Sequence, residues 1–234
     1  NDAEMLDLGE VQDLNTMKKA RRLVEHFSKS NQQIKKLKDQ QKNMDTYDGK
    51  QPVDGVVVDV VTRWWSTYSM CARLMHLQPA LATMAVDNKL AASIMLNETD
   101  WKIIIQVHQL LKPFKDAQLL LEGDQYVTLS LLPFAVKAIR VALLNIVGAP
   151  GDGEAQTRVK NLAKRLLCDF RERWKQDDDS QYLEVDEVTR GRMNRQVGLH
   201  PMATFASALD PRTKLLKAYS KVDRKKIWVA LHQK

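Results

Sequence analysis

Arg63, Trp64 and Trp65 stand side by side in the run Asp59-Val60-Val61-Thr62-Arg63-Trp64-Trp65-Ser66-Thr67-Tyr68, the densest concentration of recognition chemistry in the chain. A guanidinium can fork onto a phosphate, and an indole can stack on an unpaired base for roughly 1–3 kcal/mol. The plainer alternative has one indole anchoring the core and the other lying on the surface. A second candidate sits upstream. Lys18, Lys19, Arg21 and Arg22 occupy one side of a helical pattern whose other side carries Leu14, Met17, Val24 and Phe27. From Lys18 to Lys42 there are nine Lys/Arg and two acidic residues, so this segment carries as much surplus charge as the whole chain, whose formal net charge is +7. Such a surplus suits an anionic partner such as nucleic acid, although a merely solvated basic face is the commoner role.

The other reactive side chains do not assemble into an enzyme site by spacing. No G-x-S-x-G or H-E-x-x-H occurs, and Gly148 to Gly153 lacks the Lys that a phosphate-cradling loop requires. His26, His76, His108, His200 and His232 are scattered. Asp177-Asp178-Asp179 offers hard oxygen ligands but reads more simply as a solvated helix stop. Cys71 and Cys168 each sit in an apolar helical pattern with no C-x-x-C partner, so both are expected to be packed thiols rather than metal ligands or half-cystines. The expectation is therefore no catalytic and no metal-binding residue in this chain.

These candidates need elements to position them. Spacings of three and four predict a helix from about Glu10 to Ser28, and a second, capped by Ser30 and weakly anchored by Ile34, Leu37 and Met44. Tyr47 to Pro52 has loop chemistry. Val56 to Val61 is β-branched and should be extended, at most a short strand. Thr62 or Ser66 would cap a helix through Tyr68, Cys71, Leu74 and Leu77, and Pro79 would open the next one. Thr99 or Asp100 would cap a long helix through Trp101, Ile104 and Leu111, kinked at Pro113 and closed by Gly123. Further helices should run from Pro133 to Gly148, through Val159 to Trp174, around Ala203 to Leu209, from Asp210-Pro211, and from Asp223 to the end. Leu183 to Gly198 is a connection with few apolar anchors. The fold class is thus all-α, a multi-helix bundle with at most one short β-like segment near 56–61. Three segments follow: 1–50 with the basic helices, 51–148 with the tryptophan block, and 149–234. No stretch is expected to reach the roughly 20 apolar residues of a membrane span. An acidic start without Met, and an end inside a helical pattern, suggest a piece of a longer soluble protein of the cytosol or nucleus.

Four blocks in fixed order resemble the hAT superfamily of cut-and-paste DNA transposases and the BED zinc-finger proteins domesticated from them. Asp59 to Tyr68 is similar to that family's Asp-Val-x-Thr-Arg-Trp-Asn-Ser-Thr-Tyr block, with Trp65 in place of Asn. Phe27, Ser30, Leu37 and Gln41 resemble its upstream helix. Leu111, Pro113, Phe114, Tyr126, Val127, Thr128 and Ser130 resemble a downstream segment, and Met202 to Leu216 resembles Ala-x-x-Leu-Asp-Pro-Arg-x-Lys-x-Leu. The resemblance implies a helical insertion that interrupts an RNase H-like core, in a nuclear protein with DNA as partner. It implies that Arg63 and Trp64 lie near the parent's active site, the indole stacking on a flipped base while a DNA hairpin forms. The catalytic Asp, Asp and Glu, and the Mg²⁺ or Mn²⁺ they would hold, belong to the parent enzyme outside this chain. The implied partners are DNA, the parent's RNase H-like core and dimerisation segment, and a second copy in a homo-oligomer, but no membrane. A domesticated descendant used for protein association or transcriptional regulation is the alternative.

Overall fold

The computed structural model describes residues 15–44, 55–60, 64–87, 90–123, 126–151, 153–174, 199 and 201–232, without the side chains of Trp64, Ala92 and Pro201. Arg63, the loop at 47–52, the acidic run at 177–179 and the connection at 183–198 lie outside these residues. The described residues form eight α-helices and two 3₁₀ turns, so the chain is all-α. The helices are α1 (Asn15–Ser28), α2 (Asn31–Lys42), α3 (Trp64–Val86), α4 (Glu98–Leu121), α5 (Leu132–Gly148), α6 (Glu154–Trp174), α7 (Pro201–Leu209) and α8 (Lys221–His232). The β-branched run is neither helix nor strand over 55–60.

The described residues of Leu8–Lys112 and Pro150–Leu162 form one compact unit. Its core is legible in α1, where Met17, Ala20, Leu23, Val24 and Phe27 recur at helical spacing and are buried. α2 follows after a tight break at Ser30, whose hydroxyl accepts from the Gln33 N–H at 3.3 Å and caps the helix as expected. α2 packs on α1 and α3, yet buries only Leu37 completely. Pro79 does not open a new helix. It lies exposed inside the single helix α3, whose buried Met70, Leu74, Leu77, Leu81 and Met84 hold the turn together despite the lost N–H. α4 is not capped by Thr99 or Asp100 alone. The Asn97 side chain accepts from the Asp100 N–H at 2.8 Å while the Asp100 carboxylate accepts from the Asn97 N–H at 3.2 Å, a reciprocal capping box.

The second unit holds the described residues of Pro113–Ala149 and Ala163–Lys234. Here α7 packs on the 3₁₀ turn Leu129–Leu131, on α5 and on α8. Contrary to the sequence expectation, Leu129–Gly148 is long and apolar enough by composition to cross a membrane. In this unit its Pro133, Ala135, Val136, Ile139 and Leu143 are buried core residues, and Lys137 reaches the Lys217 carbonyl at 3.3 Å. Asp210-Pro211 begins a series of turns rather than a helix. The Asp210 carbonyl accepts from Thr213 and Lys214, and the run ends at buried Leu216 in the left-handed region, φ 50°. A left-handed leucine costs roughly 1–2 kcal/mol, offset here by complete burial of its side chain. α8 is capped by Ser220, whose hydroxyl bonds Asp223 Oδ2 at 2.7 Å and accepts the Asp223 N–H at 3.1 Å.

Candidate nucleic-acid interface

The tryptophan block is positioned by the residue that opens it. The Asp59 side chain is completely buried, and its carboxylate accepts from Arg21 Nε at 2.7 Å, from the Ser66 hydroxyl, and from Thr67 Oγ1 at 3.0 and 3.2 Å. Ser66 Oγ also accepts the Val60 N–H at 2.8 Å. Ser66 therefore does not stand at the N-cap position. It sits inside the first turn of α3 and ties that turn back to Asp59 and Val60. These bonds join the basic side of α1 to residues 59–60 and the start of α3, 38 positions further along the chain. Cys71 lies on the same helix, and burial first, then the nearby Asp59 charge, pushes its thiol up to about 12.

The second basic residue of α1 is committed in the same way. Lys19 Nζ meets Asp100 Oδ2 at 2.9 Å, and Thr16 Oγ1 donates to Asp100 Oδ1 at 2.8 Å. Burial raises the Asp100 carboxyl, but the bonds from Lys19, Thr16 and Asn97 together outweigh it and hold the group below the usual carboxylate range. Of the four basic candidates on α1, Lys19 and Arg21 thus serve internal carboxylates, whereas Lys18 and Arg22 are exposed. Trp65, the next candidate, is 36 % exposed in the first turn of α3. Trp64 opens α3, and only its backbone is described. Tyr68, one turn on, stacks on His108 with ring centroids 4.3 Å apart, and burial followed by the Lys112 charge holds that imidazole below its ordinary value.

A comparable lock occurs in the other unit. Asp210 accepts from Arg212 Nη2 at 2.6 Å, from the Arg212 N–H at 2.9 Å and from the Ser130 hydroxyl. Arg212 also donates to the Val127 carbonyl at 2.8 Å and lies over the Tyr126 ring, 5.1 Å from its centroid. The Arg212 and Ser130 bonds hold the Asp210 carboxyl far below the usual carboxylate range. Ser207 Oγ donates to the Ser130 carbonyl at 2.6 Å. Sequence reasoning identified these blocks but missed the pairing between them, because its partners lie about 80 positions apart. Cys168 corrects another expectation: it is exposed on α6, since the buried side of that helix is filled by Val159, Leu162, Ala163, Leu166, Leu167 and Phe170.

The family model described as the ZBED1 RNase-like helical domain matches residues 8–110, close to the bounds of the Leu8–Lys112 stretch of the first unit. A Zea mays protein named "Putative AC transposase" is 36 % identical over 78 residues, which is 33 % of this chain and 10 % of that protein. Residues 8–110 are an hAT-type, transposase-derived helical region. The aligned part spans only about a tenth of the maize relative. No solved structure matches the chain. In this hAT-type region, the Asp, Ser and Thr of the signature block act on one another and on α1.

Proposed function

We propose that this chain is a non-catalytic, DNA-binding scaffold of an hAT transposase-like protein, which positions DNA ends beside an RNase H-like core encoded elsewhere in a longer chain. The carrying observation is the Asp59 lock. By bonding Arg21 on one side and Ser66 and Thr67 on the other, it sets the basic side of α1 beside the start of α3, with Arg22 and Trp65 both exposed. A cation for phosphate and an indole for an unstacked base then stand on neighbouring rigid elements. In this reading Arg63 and Trp64 complete the surface, the protein works in the nucleus, no membrane is involved, and any Mg²⁺ or Mn²⁺ is held by the parent's own carboxylates.

Binding of a hairpin-bearing DNA duplex, titrated against salt, tests this. Expected are a steep negative slope of log K with log salt and a loss of roughly 1–3 kcal/mol on Trp64→Ala or Trp65→Ala. A flat slope with no effect of either substitution would overturn the proposal. The second reading, a domesticated interaction or transcription-regulating module, is favoured by Met202, Leu209, Val222, Trp228 and Val229, all exposed on α7 and α8. It predicts self-association in sedimentation with no affinity for the hairpin.

A further inference from the structure

On three helices of this chain, α1, α4 and α6, an exposed or half-exposed acidic residue is followed four positions later by its basic partner. These pairs are Glu25 with Lys29, Glu98 with Lys102, Glu154 with Arg158 and Asp169 with Arg173. That is the favourable order for an i,i+4 pair. α2 is different. Lys35, Lys36, Lys38 and Lys42 face one acidic residue, Asp39, which follows Lys35 in the less favourable order, and among the described residues none of these lysines forms an ion pair. Lys35, Lys38 and Lys42 are spaced i, i+3 and i+7, which aligns them along one side of the helix over about 10 Å. Leu37, the buried anchor, lies on another side. Like charges three and four positions apart destabilise a helix, and on α2 they are offset only in part, by Asp39 three positions before Lys42 and by the place of Lys42 in the last turn.

We infer that the Lys35–Lys38–Lys42 stripe of α2 is a contact for the phosphate backbone of duplex DNA, distinct from the tryptophan block. This rests on the reading of the chain as a DNA-handling region and adds where, and by what chemistry, sequence-independent affinity arises. Duplex DNA carries a phosphate about every 3.4 Å along each strand, so three ammonium groups spread over about 10 Å match a short stretch of one strand. Lysine is suited to this as a point charge on a flexible stem, without base readout.

The test uses the whole chain and a mixed-sequence DNA duplex, with affinity measured across a salt series. The triple substitution Lys35→Gln, Lys38→Gln, Lys42→Gln keeps helix propensity, and circular dichroism would verify that helix content is retained. If each lysine meets a phosphate, the salt slope should shrink by about 2.7, that is about 0.9 per contact. Lys29→Gln and Lys102→Gln, whose cations are already paired, should leave it unchanged, and Lys→Arg at the three positions should restore it. An unchanged slope in the triple glutamine variant, with the parent still binding, would overturn the inference and leave the proposed function standing. Failure of the parent to bind DNA at all would remove both. An equal slope change on poly-glutamate would show a general polyanion surface and would overturn the assignment to DNA.

Discussion

Removing the Asp59 carboxylate would strand the Arg21 guanidinium and the Ser66 and Thr67 hydroxyls together, all of them turned inward. Breaking one partner of a buried charge pair costs about 3–5 kcal/mol, so Asp59→Ala should lower unfolding free energy by about that amount in urea titrations. Trp65→Ala, at an exposed position, should change it far less. The two cysteines supply an independent check at this scale. Cys168 is exposed and should react promptly with a thiol-specific reagent, whereas Cys71, buried and pushed up to about 12, should react only after denaturation. Which residues mattered was visible in the sequence, since Asp59, Ser66, Ser130 and Asp210 all stand in blocks recognisable by resemblance. What each one does was not visible, because Arg21 and Asp59 are 38 positions apart and no local spacing encodes their meeting.

Elements were legible wherever apolar residues recur at helical spacing, as in α1, α5 and α6, because a buried stripe of that width suits only a helix. The readings failed at Pro79 and at the α4 cap, where a local preference competes with tertiary packing. Pro79 is tolerated inside α3 because the flanking Leu77, Ala80 and Leu81 are buried. Its own side chain is exposed, so Pro79→Ala should restore a backbone bond without opening a cavity and raise stability by on the order of 1–3 kcal/mol, read as a higher urea midpoint. The α4 cap carries a pH signature. Asp100 is held below its unfolded value, so its contribution is fully present above about pH 4 and is lost as pH falls through the folded value. The stability gap between the natural chain and Asp100→Asn should be widest at neutral pH and should narrow at pH below about 4.

At the scale of the molecule, the first unit recruits Pro150–Leu162 from beyond the segment that contributes to the second, so order along the chain does not reveal the partition. Helical periodicity says that each helix has a buried face but not which neighbour buries it, and this is why the all-α class was readable while the two units were not. The carboxylates most engaged within the units are already saturated: Asp59 by Arg21, Ser66 and Thr67, Asp100 by Lys19, Thr16 and Asn97, Asp210 by Arg212 and Ser130. Phosphodiester cleavage by paired metal ions needs carboxylates free to hold the ions against the attacking and leaving oxygens. Seating a divalent cation on any of these three would require expelling an ammonium or guanidinium that the fold itself depends on. Under the proposed function, the isolated chain incubated with hairpin-bearing DNA and Mg²⁺ or Mn²⁺ should bind the DNA but leave both strands intact on a denaturing gel. Cleavage that a chelator abolishes would show that carboxylates within these residues suffice, and that the division of labour between this helical region and an external core is mistaken.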